Sequence, residues 1–155
     1  MIQRIQSLYL FLTSLVSILF LKGPFLTFFD KSGSEIKLTF SGIFKFAVNA
    51  DTFKMWESWP LLVMVVLIPL LSLVIIFFYK NRSFQLLLSG ILILLVSVFI
   101  GVSLVYTYTI ISQNEAAFSS WYKLIIPAIQ LILSFLAYRG IKKDDNLVKS
   151  YDRLR

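Results

Sequence analysis

Between Arg82 and Glu115 the chain carries no charged residue, and the stretch Phe84 to Ser112 reads FQLLLSGILILLVSVFIGVSLVYTYTIIS. A helix needs about 20 apolar residues to cross a hydrocarbon core of roughly 30 Å, so this run is long enough to span a bilayer. It is apolar on every face, and a chain of 155 residues has too little other protein to wrap it. Its solvent must be lipid and neighbouring helices.

The same reading applies along the chain. The sequence predicts an all-α membrane protein whose single domain, residues 1–155, has four transmembrane helices at about 5–22, 59–79, 84–110 and 121–138. Apolar residues make up 58% of the total, as a polytopic membrane protein requires. The first span follows Arg4 and ends near Lys22-Gly23-Pro24. No small-x-small cleavage sequence follows it, so an uncleaved span is expected rather than a signal peptide. Trp56, Trp59 and Tyr79 bracket the second span as interfacial aromatics do. Pro69 and Pro127 are expected to bend the second and fourth spans.

The loop at 30–58 is the one long polar segment. Ile36, Leu38 and Phe40 alternate with Glu35, Lys37 and Thr39, which is the period of a strand. Ser41-Gly42 is read as the turn and Ile43 to Val48 as the return strand of a small extracytoplasmic β-hairpin between the first two spans. The tail at 139–155 is read as a short cytoplasmic amphipathic helix. Leu147, Tyr151 and Leu154 stand on one side of it, and Lys142, Lys143, Lys149, Arg153 and Arg155 supply charge. These eight residues are the candidate cytoplasmic docking set. Asp144, Asp145 and Asp152 among them leave lipid and protein as alternative surfaces for the tail.

Net charge is +7, and its distribution sets a topology. Arg4, Lys80, Arg82 and six basic residues of the tail fall on one side. Lys22, Lys31, Lys37, Lys45, Lys54 and Lys123 fall on the other, with five of the eight acids. The positive-inside rule then places both termini in the cytoplasm. The basic excess is explained by topology, and no nucleic-acid partner is expected.

Within the spans, Gly90, Ser97 and Gly101 form a small-residue seam, expected to face another helix of the bundle. Gln130 and Ser134, just after Pro127, form the most polar intramembrane patch, and a packing role is expected for them, as for Pro69 and Pro127. The chain has no histidine and no cysteine, which removes imidazole bases, thiol nucleophiles and the usual zinc ligands. No nucleotide loop or nucleophile with an adjacent base occurs, so no enzyme activity, cofactor or metal is expected.

The two ends carry a resemblance. The opening Met1 to Gln6, MIQRIQ, and a close built from Tyr138, Arg139, Ile141 to Asp144, Leu147, Val148, Ser150 and Asp152 to Arg155 resemble a family of four-span inner-membrane proteins of Bacteroidota, catalogued as a domain of unknown function. The resemblance implies a multi-pass protein of the bacterial inner membrane and no particular activity. The expected function is a non-catalytic subunit of a larger envelope complex for protein export or membrane-protein insertion, its partners the lipid bilayer and other integral membrane proteins. The alternative, drawn from the two prolines and a possible repeat of the helical hairpin, is a small transporter or lipid-handling protein.

Overall fold

The computed structural model describes residues 3–46, 52–79, 81–120 and 122–153. Four helices carry the fold: α1 (Gln3–Phe20), α2 (Trp59–Phe77), α3 (Arg82–Asn114) and α4 (Ile125–Arg153). α1 and α3 each pack against both α2 and α4, so the bundle is a closed ring of antiparallel neighbours. The segments Trp59–Phe77, Arg82–Asn114 and Tyr122–Val148 are long and apolar enough to cross a membrane, and α1 contributes a shorter apolar stretch, Ile5–Phe20.

Each helix buries one stripe at steps of three and four, as the 3.6-residue period demands. On α3 the stripe is Gln85, Ser89, Leu92, Val96, Phe99, Ser103, Thr107 and Ile110. Asn81 caps this helix through its side-chain oxygen, which accepts from the Phe84 amide at 3.3 Å. Glu115 ends it in the left-handed conformation, φ 46°. Pro127 is the third residue of α4, inside the first turn, where its missing N–H would have had no partner in the helix. Pro127 therefore breaks no bond of the helix ladder, and the chain enters α4 through a 3₁₀ turn at Tyr122–Leu124.

The expected hairpin is the centre of a larger antiparallel sheet. β1 (Leu26–Phe29), β2 (Glu35–Thr39), β3 (Gly42–Phe46), β4 (Thr52–Trp56) and β5 (Ala117–Ser120) are ordered β4-β3-β2-β1-β5. Thr39 pairs with Gly42, so the turn between β2 and β3 is Phe40-Ser41, one residue earlier than the sequence indicates. Val48 lies outside the described residues. Ile36 and Leu38 are fully buried under the sheet, and the alternation of β2 is the one read from its sequence. β1 and β5 are too short to show a period. They form because the segment after α1 and the segment after α3 emerge side by side at the same end of the bundle, where Phe28 packs on Phe118 with ring centroids 4.9 Å apart.

An aromatic cluster fixes the sheet to the helices. Phe20 of α1 meets Phe25 and Phe40 edge-on, both at 5.2 Å, and Phe99 of α3 at 6.1 Å. Lys123 donates to the carbonyls of Pro24 at 2.5 Å and Lys22 at 3.2 Å, closing the loop after α1. Ser58 Oγ donates to the Thr39 carbonyl at 2.7 Å and holds the start of α2 against the β2–β3 turn.

At the other end the sequence reading needs one correction. The tail is not a separate amphipathic helix: α4 continues unbroken to Arg153. Its buried positions Gln130, Ser134, Ala137, Ile141 and Asp144 keep the three-four spacing across Tyr138, so the face that packs in the apolar part of the helix also packs in the charged part. Gly140 makes this approach possible, since a Cβ there would lie 2.7 Å from Gln6 Cγ of α1. The seam expected at Gly90, Ser97 and Gly101 is not the packed one. Ser97 and Gly101 are exposed, and a Cβ on Gly90 or Gly101 would meet nothing within 4 Å.

Two expectations follow. Gly140→Ala should destabilise the bundle by about 1–3 kcal/mol, as inserting a methyl into a packed seam does, while Gly101→Ala should be neutral or slightly stabilising; thermal unfolding in detergent measures both. In the sheet, Lys45 Nζ donates to Asp30 at 2.6 Å and Ser32 Oγ at 3.0 Å, and these bonds, Lys45 first, hold the Asp30 carboxyl below its usual range. A lowered folded value means that the stabilisation is complete above the unfolded value of about 3.9 and is lost as pH falls through the folded one. The difference in melting temperature between the parent and Asp30→Asn should therefore be greatest at neutral pH and vanish in stronger acid.

Candidate functional site

The interior of the bundle is more polar than its sequence hydropathy indicates. α1 turns Gln6, Thr13, Ser14 and Ser17 inward, and α4 faces them with Gln130, Ser134 and Asp144. In a lipid environment a buried polar group without a partner costs several kcal/mol, so the bonding of these groups decides what they do. Gln130 Nε2 donates to Ser17 Oγ at 2.9 Å, Ser17 Oγ donates to the Thr13 carbonyl at 2.9 Å, and Ser134 Oγ donates to the Gln130 carbonyl at 2.8 Å. This network ties α1 to α4 at mid-depth. Gln130 Oε1 and Thr107 Oγ1 are buried with no hydrogen-bond partner.

The principal polar cluster lies at the end opposite the sheet, where all four helices contribute. Gln6 Nε2 donates to Asp144 Oδ2 at 2.7 Å, and both residues are more than nine-tenths buried. Arg82, in the first turn of α3, donates from Nη1 to the Asp144 carbonyl at 3.1 Å. Gln85 Nε2 donates to the Ile75 carbonyl of α2 at 3.1 Å, bridging the ends of α2 and α3. Gln6, Ser7, Tyr79, Arg82, Gln85, Ile141 and Asp144 enclose a cavity of about 30 Å³. That is room for a water molecule among several polar partners, and too little for a metabolite.

Chemically, the cluster is a carboxylate held by an amide, with a guanidinium on the adjoining backbone. Among the described residues there is no group of three or more Asp or Glu side chains that could hold a metal ion. The arrangement can fix helix ends and order a water. Charge-assisted bonds of this kind contribute more than neutral ones, about 1.5–3 kcal/mol each.

Of the residues singled out from sequence, Pro69, Pro127, Gln130 and Ser134 are brought into the interior, whereas Gly90, Ser97 and Gly101 are not. Lys142, Lys143 and Leu147 stand exposed on the outer side of α4. Leu154 and Arg155, and the side chains of Lys149, Tyr151 and Arg153, lie outside the described residues. Gln6, Arg82, Gly140 and Asp144 are not among the candidate site residues read from sequence. The signal was present: the spacing 130, 134, 137, 141, 144 runs on past the first tail charges.

Replacing Gln6 with Leu removes the donor and leaves a buried carboxylate, which should cost about 1.5–3 kcal/mol. A double-mutant cycle with Asp144→Asn, read by thermal unfolding, should show coupling well above the ~0.5 kcal/mol scatter of independent sites.

A comparison with curated proteins finds none that matches the chain. Residues 2–154 match a family described as Domain of unknown function (DUF4293), and the chain belongs to that family.

Proposed function

We propose that this protein is a non-catalytic integral subunit of a larger envelope complex in the bacterial inner membrane. It crosses the bilayer four times, with both termini in the cytoplasm and the sheet outside. The observation that carries the subunit reading is the outward side of α3. Ser97 and Gly101 are exposed there, the Cβ positions of Gly90 and Gly101 are open, and Leu94, Val98, Leu104 and Val105 flank them with large exposed side chains. A groove of small residues between larger ones lets a second transmembrane helix approach closely, and such approach drives helix association in lipid.

The sheet supports the class of machine. β4 is an edge strand, exposed along its length from Thr52 to Trp56. An open edge beside a membrane pairs with extended polypeptide. Complexes for protein export and membrane-protein insertion handle chains in that state. The proposed orientation draws support from Arg82, Arg139, Lys142 and Lys143, which lie at the end of the bundle opposite the sheet. A second reading, a small transporter or lipid-handling protein, draws on the unpartnered buried oxygens of Gln130 and Thr107.

Because the chain has no cysteine, single-cysteine variants report cleanly. Ser41→Cys should react with a membrane-impermeant maleimide from outside the cell, and Lys142→Cys only after permeabilisation. Affinity purification in mild detergent should recover a stoichiometric membrane partner that crosslinks to Gly101→Cys. Gly101→Leu should weaken that association about tenfold, equivalent to about 1.4 kcal/mol, with the fold unchanged. Recovery of a solitary protein with no crosslinked neighbour would overturn the subunit reading.

A further inference from the structure

The tail mixes acids with bases in sequence, and the fold separates them. Asp144 and Asp145 are both more than nine-tenths buried, and Asp144 accepts from Gln6 of α1. The exposed positions of α4 from residue 135 to residue 148 are Phe135, Leu136, Arg139, Lys142, Lys143, Asn146, Leu147 and Val148. They carry three cations and no acid. Phe135, Arg139, Lys142, Lys143 and Leu147 share one open face of α4.

Its axial order matches the edge of a bilayer. Ile129, Ile132 and Phe135 are exposed and apolar. Arg139 follows four residues after Phe135, about 6 Å along the helix, with its guanidinium carbon 6.0 Å from the centre of the Phe135 ring. The exposed apolar face thus leads directly to Arg139, and Lys142 and Lys143 follow one turn further out, where their long stems can lean back toward lipid phosphates.

We propose that this outer face of α4 is a binding site for the headgroup of an anionic phospholipid, with Arg139, Lys142 and Lys143 on the phosphate and Phe135 against the acyl chains. The burial of Asp144 and Asp145 creates the site, because either carboxylate turned outward would cancel a cation. The occupant is a lipid rather than an acidic protein because the cationic face continues into the exposed apolar surface of the same helix at Ile129, Ile132 and Phe135. The inference rests on α4 crossing the membrane and is independent of the subunit reading, since the purified chain alone suffices to test it.

The test is native mass spectrometry of the purified full chain in detergent, offered equal amounts of phosphatidylglycerol and phosphatidylcholine. The parent should retain phosphatidylglycerol with a preference of at least about tenfold, and Arg139→Gln/Lys142→Gln/Lys143→Gln should bring it to parity. All three side chains are exposed, and an unchanged melting temperature in lipid-free detergent shows that the variant is folded. A charge-matched control, Lys22→Gln/Lys31→Gln/Lys54→Gln at the sheet end, should keep the preference. Three results would overturn the proposal: no preference in the parent, an equal loss in the control, or displacement of the lipid by inorganic phosphate at the same concentration. Crosslinking of Lys142→Cys in native membranes to a protein in place of lipid would likewise reject it.

Discussion

A carboxylate inside a helical bundle must be answered by a donor, and the donation from Gln6 to Asp144 is the contact on which the arrangement of the helix ends depends. It requires α1 and α4 to touch, and Gly140 lets them do so at a separation that a Cβ would forbid. It requires α4 to remain helical past the last apolar turn, since Asp144 reaches Gln6 only from the face that Gln130 and Ser134 already occupy. Arg82 then joins α3 to the same point through the Asp144 carbonyl, and Gln85 joins α3 to α2. Four helix ends are locked by a few directional bonds in a region where dispersion alone would leave them free to slide.

The opposite end is held by different means. There the contacts are aromatic, with Phe20, Phe25, Phe40 and Phe99 in mutual contact, and the sheet adds a ladder of backbone bonds that needs no side-chain complementarity. The bundle is thus polar and hydrogen-bonded at one end and aromatic at the other, with Ser17, Gln130 and Ser134 linking α1 and α4 between them. The two ends also differ electrostatically. Among the described residues of the sheet end Asp30 pairs with Lys45 and Glu57 with Lys54, and Glu57 is held below its usual range by Lys54 and Trp59. At the other end Asp144 and Asp145 are buried, and Arg139, Lys142 and Lys143 stay on the surface.

Long uncharged runs, interfacial aromatics and the alternation of Ile36, Leu38 and Phe40 were legible as apolar helices and a strand because each is a local pattern, set by hydropathy and the period of one element. Three apolar helices and a small antiparallel sheet follow from those patterns. Membership of the family of unknown function was legible at the two ends, in MIQRIQ and in the motif running from Tyr138.

What the tertiary structure decided is which neighbour each face meets. β5 exists through its pairing with β1, far away in the chain, and its four residues do not announce that alone. The small residues of α3 and Gly140 of α4 look alike in sequence, yet only Gly140 meets another helix, because the ring places α3's seam outward. Asp144 and Asp145 read as tail charges until a continuous α4 rotates them inward. Composition and period determine that an element forms and how polar it is; the direction of its faces is set by contacts between residues as far apart as Gln6 and Asp144, which no local pattern encodes.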